Sequence, residues 1–254
     1  MIPKDRAKLC PMSDYRDSFY ARYHLTNGLP DRPDPAQYQA QARGFTGRWS
    51  KWLPVDRRAR CLDLGCGAGE FLYFLKGRGY ENIQGVDLNV QALKLAEQMG
   101  LNTLQRLNAA EFLVGQSAVY DLITAFNFFE HLRKDEILHL LDLIYTALKP
   151  GGRLLAVTPN GVSPMGSATR YWDFSHETGF TPASWRQLSR LVGFTEPIFE
   201  EWGPLRHSFG GWVRSVLWRV ICLGITIYDR VEVGSPRDRS RVYTADMKII
   251  LRKP

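Results

Sequence analysis

The chain has 254 residues, of which 44% are hydrophobic and 23% charged, with a formal net charge of +7 from 33 Lys and Arg against 26 Asp and Glu. This length and composition suit one globular domain with a sizeable core and exclude a low-complexity polymer, a solenoid or a propeller array. The basic excess favours anionic partners, whether phosphorylated substrates, nucleic acid or an anionic membrane, and does not choose among them.

The opening MIPKDRAKLCPMSDYRD lacks the apolar core of a secretory signal. Residues 1–33 are polar, with Pro30, Pro33 and Pro35 marking a turn. An amphipathic helix follows from Pro35 to Leu53, weakened by Gly44 and Gly47. After Pro54 strands and helices alternate. ARCLDLG is a strand, EFLYFLKGR a helix stopped by Gly79, NIQGVD a strand, and NVQALKLAEQM a helix capped by Asn89. A short strand at Asn102–Leu107 and a brief helix at Ala109–Leu113 come next, then the strand YDLITAF. DEILHLLDLIYTALK reads as a helix ended by Pro150-Gly151-Gly152, and RLLAVT as another strand. Thr181-Pro182 opens a helix that Gly193 closes, and FTEPIFEEW and VYTADMKIILRK are the last strands. Such alternation predicts a parallel sheet covered on both faces. The cysteines Cys10, Cys61, Cys66 and Cys222 form no CxxC pair, which fits a reducing cytoplasm.

The segment Asp63-Leu64-Gly65-Cys66-Gly67-Ala68-Gly69 falls between a strand and a helix. Glycines there let the backbone turn tightly and approach a ligand. The preceding acid suits a cationic amino acid better than a pyrophosphate, and Asp87, ending the second strand, is placed to accept from ribose hydroxyls. Across roughly residues 58–200 the chain resembles the class I S-adenosylmethionine-dependent methyltransferases, through LDLGCGAG, GVD, YDLITAFNFFEHL and LKPGGRLLAVTPN in order. The resemblance implies an α/β, Rossmann-like fold with seven mostly parallel strands in the order 3-2-1-4-5-7-6. It implies S-adenosylmethionine as cofactor, held by a loop of Asp63, Gly65, Cys66, Gly67 and Gly69. It also implies Asp87 on the ribose, Leu88 on the adenine, Asn108 and Ala109 at the adenine edge, and Phe126 and Asn127 beside the sulfonium. Asn108 replaces the family's usual acid, so its amide must present oxygen to the adenine amine.

A hydroxyl acceptor needs a base or a metal. Glu130-His131 follows the fourth strand, and Asp173-Phe174-Ser175-His176 lies in the loop after the fifth, both at the carboxyl edge of the sheet. His176 is the expected general base, with Asp173 orienting it or binding acceptor hydroxyls. The competing reading has His176 pin its loop to the following helix and His131 cap the loop under the cofactor. Glu130-His131-Leu132 resembles the corresponding element of ubiquinone-pathway O-methyltransferases and small-RNA 2′-O-methyltransferases. In the latter, two acids and two histidines can hold a divalent ion. Asn127 stands where the first acid would be, so no metal is assigned, although Glu130, His131 and His176 could still form a three-ligand site.

RHSFGGWVRSVLWRVICLGITIYDRVEVG fills the gap between the last two strands. Its most apolar part, Val216 to Tyr228, contains Arg219 and reads as too short to span a bilayer. Trp212, Val216, Leu217, Val220 and Ile221 recur at helical spacing. That pattern suits a helix packed on the domain or on a second subunit, or a basic amphipathic helix on a membrane at residues 205–231. HETGFT, this insertion and the VEVG turn resemble methyltransferases of bacterial surface-polysaccharide clusters, which implies O-methylation of a sugar or glycan. The alternatives are a quinone-precursor or aromatic O-methyltransferase and a catalytically silent, cofactor-binding partner subunit. An RNA acceptor is not expected, for there is no appended RNA-binding module. The expected organisation is a helical cap at 1–57, a core at 58–202, a helical insertion at 203–240 and the last strand at 241–254, in a cytoplasmic protein that is soluble or peripheral at the membrane's inner face.

Overall fold

The computed structural model describes residues 15–20, 28–206, 208–234 and 240–254. Seven strands form one sheet in the order β3-β2-β1-β4-β5-β7-β6. They are β1 (Arg60–Leu64), β2 (Asn82–Asp87), β3 (Leu104–Arg106), β4 (Tyr120–Phe126), β5 (Leu148–Pro159), β6 (Ile198–Glu201) and β7 (Asp246–Arg252). β1 pairs in parallel with β2 and β4, and β4 with β5, while β7 runs antiparallel between β5 and β6. The order and the mostly parallel pairing are those expected from the resemblance. The strand order changes direction between β1 and β4, which opens a crevice at the carboxyl edge between the chains leaving these two strands.

The helices are α1 (Tyr15–Tyr20), α2 (Pro35–Trp49), α3 (Glu70–Gly77), α4 (Val90–Gln98), α5 (Ala109–Leu113), α6 (Lys134–Ala147), α7 (Gly166–Arg170), α8 (Pro182–Val192) and α9 (Phe209–Val233). One face of the sheet packs Leu64, Ile123, Ala125 and Leu154 against Leu140, Ile144 and Trp185 of α6 and α8. The other packs Cys61, Leu122 and Leu155 against Phe71, Phe74 and Trp49 of α3 and α2. Alternate residues of β4 therefore go to opposite layers, as burial on both sides requires.

Local signals explain most boundaries. Asn89 caps α4 by accepting from the Gln91 and Ala92 amides. Thr181 and Ser184 form a reciprocal cap on α8, Pro182 sits in its first turn, and Gly193 closes it at φ +100°. The predicted α6 runs too far. It ends at Ala147, and Leu148 already pairs with Tyr120 as the start of β5, with a register shift between Tyr120 and Leu122. Sheet pairing thus overrides the helical periodicity of Leu148-Lys149. The short α7 falls where only a loop was expected.

The largest departure is α9. The apolar stretch judged too short belongs to a continuous helix of 25 residues, long and apolar enough by length and composition to cross a membrane. Ser208 caps its first turn through the Gly211 amide and Gly234 ends it at φ +76°. Gly210-Gly211 and the interspersed arginines concealed this length in the sequence. Residues 1–14, with the expected absence of a signal and Cys10, lie outside the described residues, as does part of the loop after α9.

Candidate active site

The glycine corner after β1 is built for close approach. Gly65, Gly67 and Gly69 have φ of +65°, +53° and +80°, a region that side-chain-bearing residues rarely enter. A Cβ on Gly65 would collide with the Phe128 ring, and one on Gly69 would lie 2.9 Å from Ala96 Cβ. At Gly67 nothing lies within 4 Å of such a Cβ, so its bare backbone faces open space. Cys66 contributes backbone only, since its side chain packs into the core beneath Gly85, and burial pushes its thiol pKa up.

Two acids flank this corner. Asp63 is buried, and Thr124 Oγ1 donates to its Oδ1 at 2.5 Å. Burial pushes its carboxyl up to about 7, and the nearby Glu70 and Asp87 add to the effect against the Thr124 bond. A buried carboxylate without a cation is costly, so this place suits a ligand's ammonium group. Asp87 accepts from the Gly67 amide at 2.8 Å and the Asn89 amide at 2.7 Å, which fixes the carboxylate and the loop together. Burial raises its pKa, and the bonds from Asn89, Gly67 and Leu88 work the other way. Leu88 is 56% exposed, an apolar surface on which a flat ring could lie. Asn108 Oδ1 accepts from the Ala110 amide and caps α5, and Ala109 is buried behind it.

Phe126 ends β4 as a half-buried ring. Its ring stacks on Trp49 at 5.0 Å and meets Phe71 edge-on at 4.8 Å, so it packs beneath α2 and α3. Asn127, at φ +49°, turns the chain out of β4 with its amide bonded to the Val157 carbonyl. Tyr38, which the sequence reading passed over, donates from its hydroxyl to the Ala68 carbonyl at 2.6 Å, so α2 closes over the glycine corner.

The two acceptor-side loops meet. The Glu130 carbonyl accepts from the Glu177 and Thr178 amides at 2.7 and 3.1 Å, and Thr178 Oγ1 donates to the Leu132 carbonyl. His131 and His176 lie 4.9 Å apart between ring centroids. Asp173 Oδ1 accepts from Ser175 Oγ at 2.7 Å, and that Oγ lies 2.8 Å from His131 Nδ1. With its proton given to Asp173, Ser175 accepts from His131 Nδ1–H, so a neutral His131 keeps its lone pair on Nε2. Burial, then His176, pulls His131 down to about 4, against Asp173 and two backbone contacts. These bonds tie Asp173 to His131 through Ser175, where the sequence pointed to His176. His176 Nδ1 bonds the Arg170 carbonyl at 3.2 Å, so it anchors to the preceding α7 rather than to the following helix. That bond also leaves the lone pair of a neutral His176 on Nε2.

Glu130 is almost fully buried, and its Oε2 has no hydrogen-bond partner among the described residues. Burial, with Asp246 and Asp173 nearby, pushes its carboxyl up to about 8. Asp246, which opens β7, was not singled out in the sequence. Glu130, His131 and His176 offer ligand atoms within 4.8 Å of one another, a donor set able to hold a divalent cation. Two regions outside the expected set close on this cluster. From α1, Arg16 forms a two-pronged pair with Glu136, both distances 2.7 Å, and Tyr15 and Phe19 pack on Phe174. On the other side, a cleft of 720 Å³ opens between the β6–α9 corner and the start of β7, lined by Arg48, Trp202, Arg214, Trp218 and Asp246.

A glycine corner, a carboxylate ending β2 and a polar cluster at the edge of β4 and β5, on this strand order, define the fold of S-adenosylmethionine-dependent class I methyltransferases. Residues 36–195 match the model of the methyltransferase domain family, and the chain belongs to that family. It is similar to a ubiquinone biosynthesis O-methyltransferase of Methylocella silvestris, 31% identical over 118 residues, which are 42% of this chain and 45% of that one. YqeM of Bacillus subtilis is 27% identical over 115 residues, 42% of this chain and 46% of its own length. The chain thus spans under half the length of the curated relatives it matches. The crystal structure of a SAM-dependent methyltransferase from Archaeoglobus fulgidus superposes with a TM-score of 0.65 at 22% identity, covering 92% of this chain and 100% of that one.

Proposed function

We propose that this chain transfers a methyl group from S-adenosylmethionine to a hydroxyl of a sugar or glycan. The family assignment supports the cofactor, and the corner's construction fits it. Asp63 would face the ammonium group, Asp87 the ribose hydroxyls, Leu88 the adenine, and the open backbone at Gly67 would admit the ligand. When bound, the cofactor supplies an electrophilic methyl group on a sulfonium.

The chain's own task is to align the acceptor and take its proton. The observation that carries the hydroxyl assignment is the meeting of Glu130, His131, Ser175 and His176 at the carboxyl edge. His176 is the base in this reading: Arg170 holds its Nδ1–H and leaves Nε2 to accept. Asp173 and Ser175 position His131, and protonated Glu130 can donate to an acceptor oxygen. Asp246 and the cleft with Arg48 and Arg214 suit an acceptor that carries hydroxyls and negative charge. The scattered thiols support work on the cytoplasmic side.

A second reading, an aromatic hydroxyl such as a quinone precursor, is favoured by the 31% identity to the Methylocella silvestris O-methyltransferase. Incubation with S-adenosylmethionine and panels of nucleotide sugars, lipid-linked sugars and quinol precursors, read by intact mass, separates the two. A gain of one methyl on the sugars is expected. A gain confined to the quinol panel would replace this reading with the second.

A further inference from the structure

The helix α9 has two unlike sides. Its inner side holds the domain at four successive turns. Arg206 Nε donates to Ser215 Oγ at 2.9 Å, Trp218 Nε1 to Glu201 at 3.0 Å, Cys222 Sγ lies 3.6 Å from the same carboxylate, and Thr226 Oγ1 is 3.4 Å from the Tyr243 hydroxyl. Only Ser215 and Asp229 of the helix are buried, both on this side. The residues that the sequence pattern marked as an apolar face, Trp212, Val216, Leu217, Val220 and Ile221, lie on the open surface. At 100° per residue, Phe209, Val216, Val220, Leu223, Ile227 and Val231 project opposite Ser215, Trp218 and Cys222. Of these, Phe209 and Val231 are each 82% exposed, and Val220 is 63% exposed. Monomeric soluble proteins rarely leave so long an apolar strip in water.

We propose that this strip is a docking surface for an anionic lipid bilayer, with α9 lying in the membrane plane. Charge selects this occupant. Arg219 and Arg230 border the apolar strip, and among the described residues neither has an acidic partner within ion-pair distance. Anionic headgroups would neutralise these arginines, whereas a second copy packed face to face would bring arginines against arginines. Trp212 and Tyr228, both exposed, suit the boundary between headgroups and acyl chains. The helix is long enough to cross a bilayer. Crossing would, however, strip the inner side of its bonds and place the buried Asp229 in hydrocarbon, so the in-plane arrangement is the one that preserves the fold. This docking is independent of which acceptor is methylated, and its test does not use activity.

Flotation of the full chain with vesicles of phosphatidylcholine, with or without one quarter phosphatidylglycerol, tests the proposal. The chain should float with the anionic vesicles and stay largely below with the neutral ones. Arg219→Gln and Arg230→Gln should each weaken binding by about fivefold, the factor for about 1 kcal/mol per basic residue at such a surface. The double variant Val220→Glu, Ile227→Glu should remain at the bottom while keeping the parent's circular dichroism and cofactor affinity. Three results would overturn the proposal. They are absence of the parent from the anionic fraction, flotation of the double variant like the parent, and a stable dimer in solution that the double variant abolishes without any vesicle binding. Resistance of the bound chain to alkaline carbonate extraction would likewise replace in-plane docking with a spanning helix.

Discussion

The two halves of the carboxyl edge are made differently. Around β1 and β2 the site is mostly backbone: glycines in left-handed conformation, amides held by Asp87, and a buried carboxylate under Thr124. Around β4, β5 and β7 it is mostly side chains carried on loops, such as the pair of His131 and Ser175, which lie 44 residues apart in the chain. A site written in backbone accepts one ligand and changes little. A site written in side chains can be revised for a new acceptor without touching the first.

If the halves are as separate as this, damage to one should leave the other intact. The largest effect is expected from His176→Ala. It should lower turnover by about 10²–10⁴-fold, the range for losing a general base, with cofactor affinity unchanged. Near-parental turnover at saturating acceptor would remove His176 as the base and shift attention to His131. Asp87→Asn should act in the opposite sense. Cofactor affinity, measured by calorimetry, should fall by about tenfold, or roughly 1.4 kcal/mol, about the scale of a hydrogen bond to a charged group. Affinity for the acceptor should hold. Loss of both affinities together would show that the halves are coupled.

A third effect concerns Glu130 and stability. Its folded pKa of about 8 stands above the ordinary value of 4.5, so in that window the unfolded state binds fewer protons than the folded one. Glu130 therefore makes stability fall as pH rises from about 4.5 to 8, by at most about 1.4 kcal/mol per pH unit. His131 acts oppositely at lower pH. Its folded value of about 4 lies below the ordinary 6.5, so stability falls as pH drops through that window. Glu130→Gln, which imitates the protonated form, should flatten the decline between pH 6.5 and 8 in denaturant titrations. An unchanged slope would mean that this carboxyl is ionised in the folded protein.

The same division governs what the sequence revealed. The alternation of strands and helices and the glycine corner were legible because local turn chemistry and strand periodicity dictate them within a few residues, whereas the strand order and the roles given to Asp63 and Asp87 came from the family resemblance. Glu130, His131, Asp173 and His176 were legible as candidates, but their pairing was not. Which imidazole Asp173 serves depends on the Ser175 hydroxyl and on how two loops dock. Phe126 was legible as a ring at the end of β4, but its stacking on Trp49 was not, because motif position alone does not say which layer a ring packs against. The face of α9 was left open between a packing surface and a membrane surface for a similar reason. Periodicity marks an apolar stripe without saying whether protein covers it, and here the bonded side carries Ser215, Trp218 and Thr226.

Isothermal calorimetry with S-adenosylmethionine and its demethylated product tests the cofactor corner most directly. The folded chain should take up one equivalent of either ligand. Affinity for S-adenosylmethionine should weaken below pH 7 as Asp63 takes up a proton, since its folded value lies near 7. A folded chain that releases no heat with either ligand at any pH would contradict the account at its base.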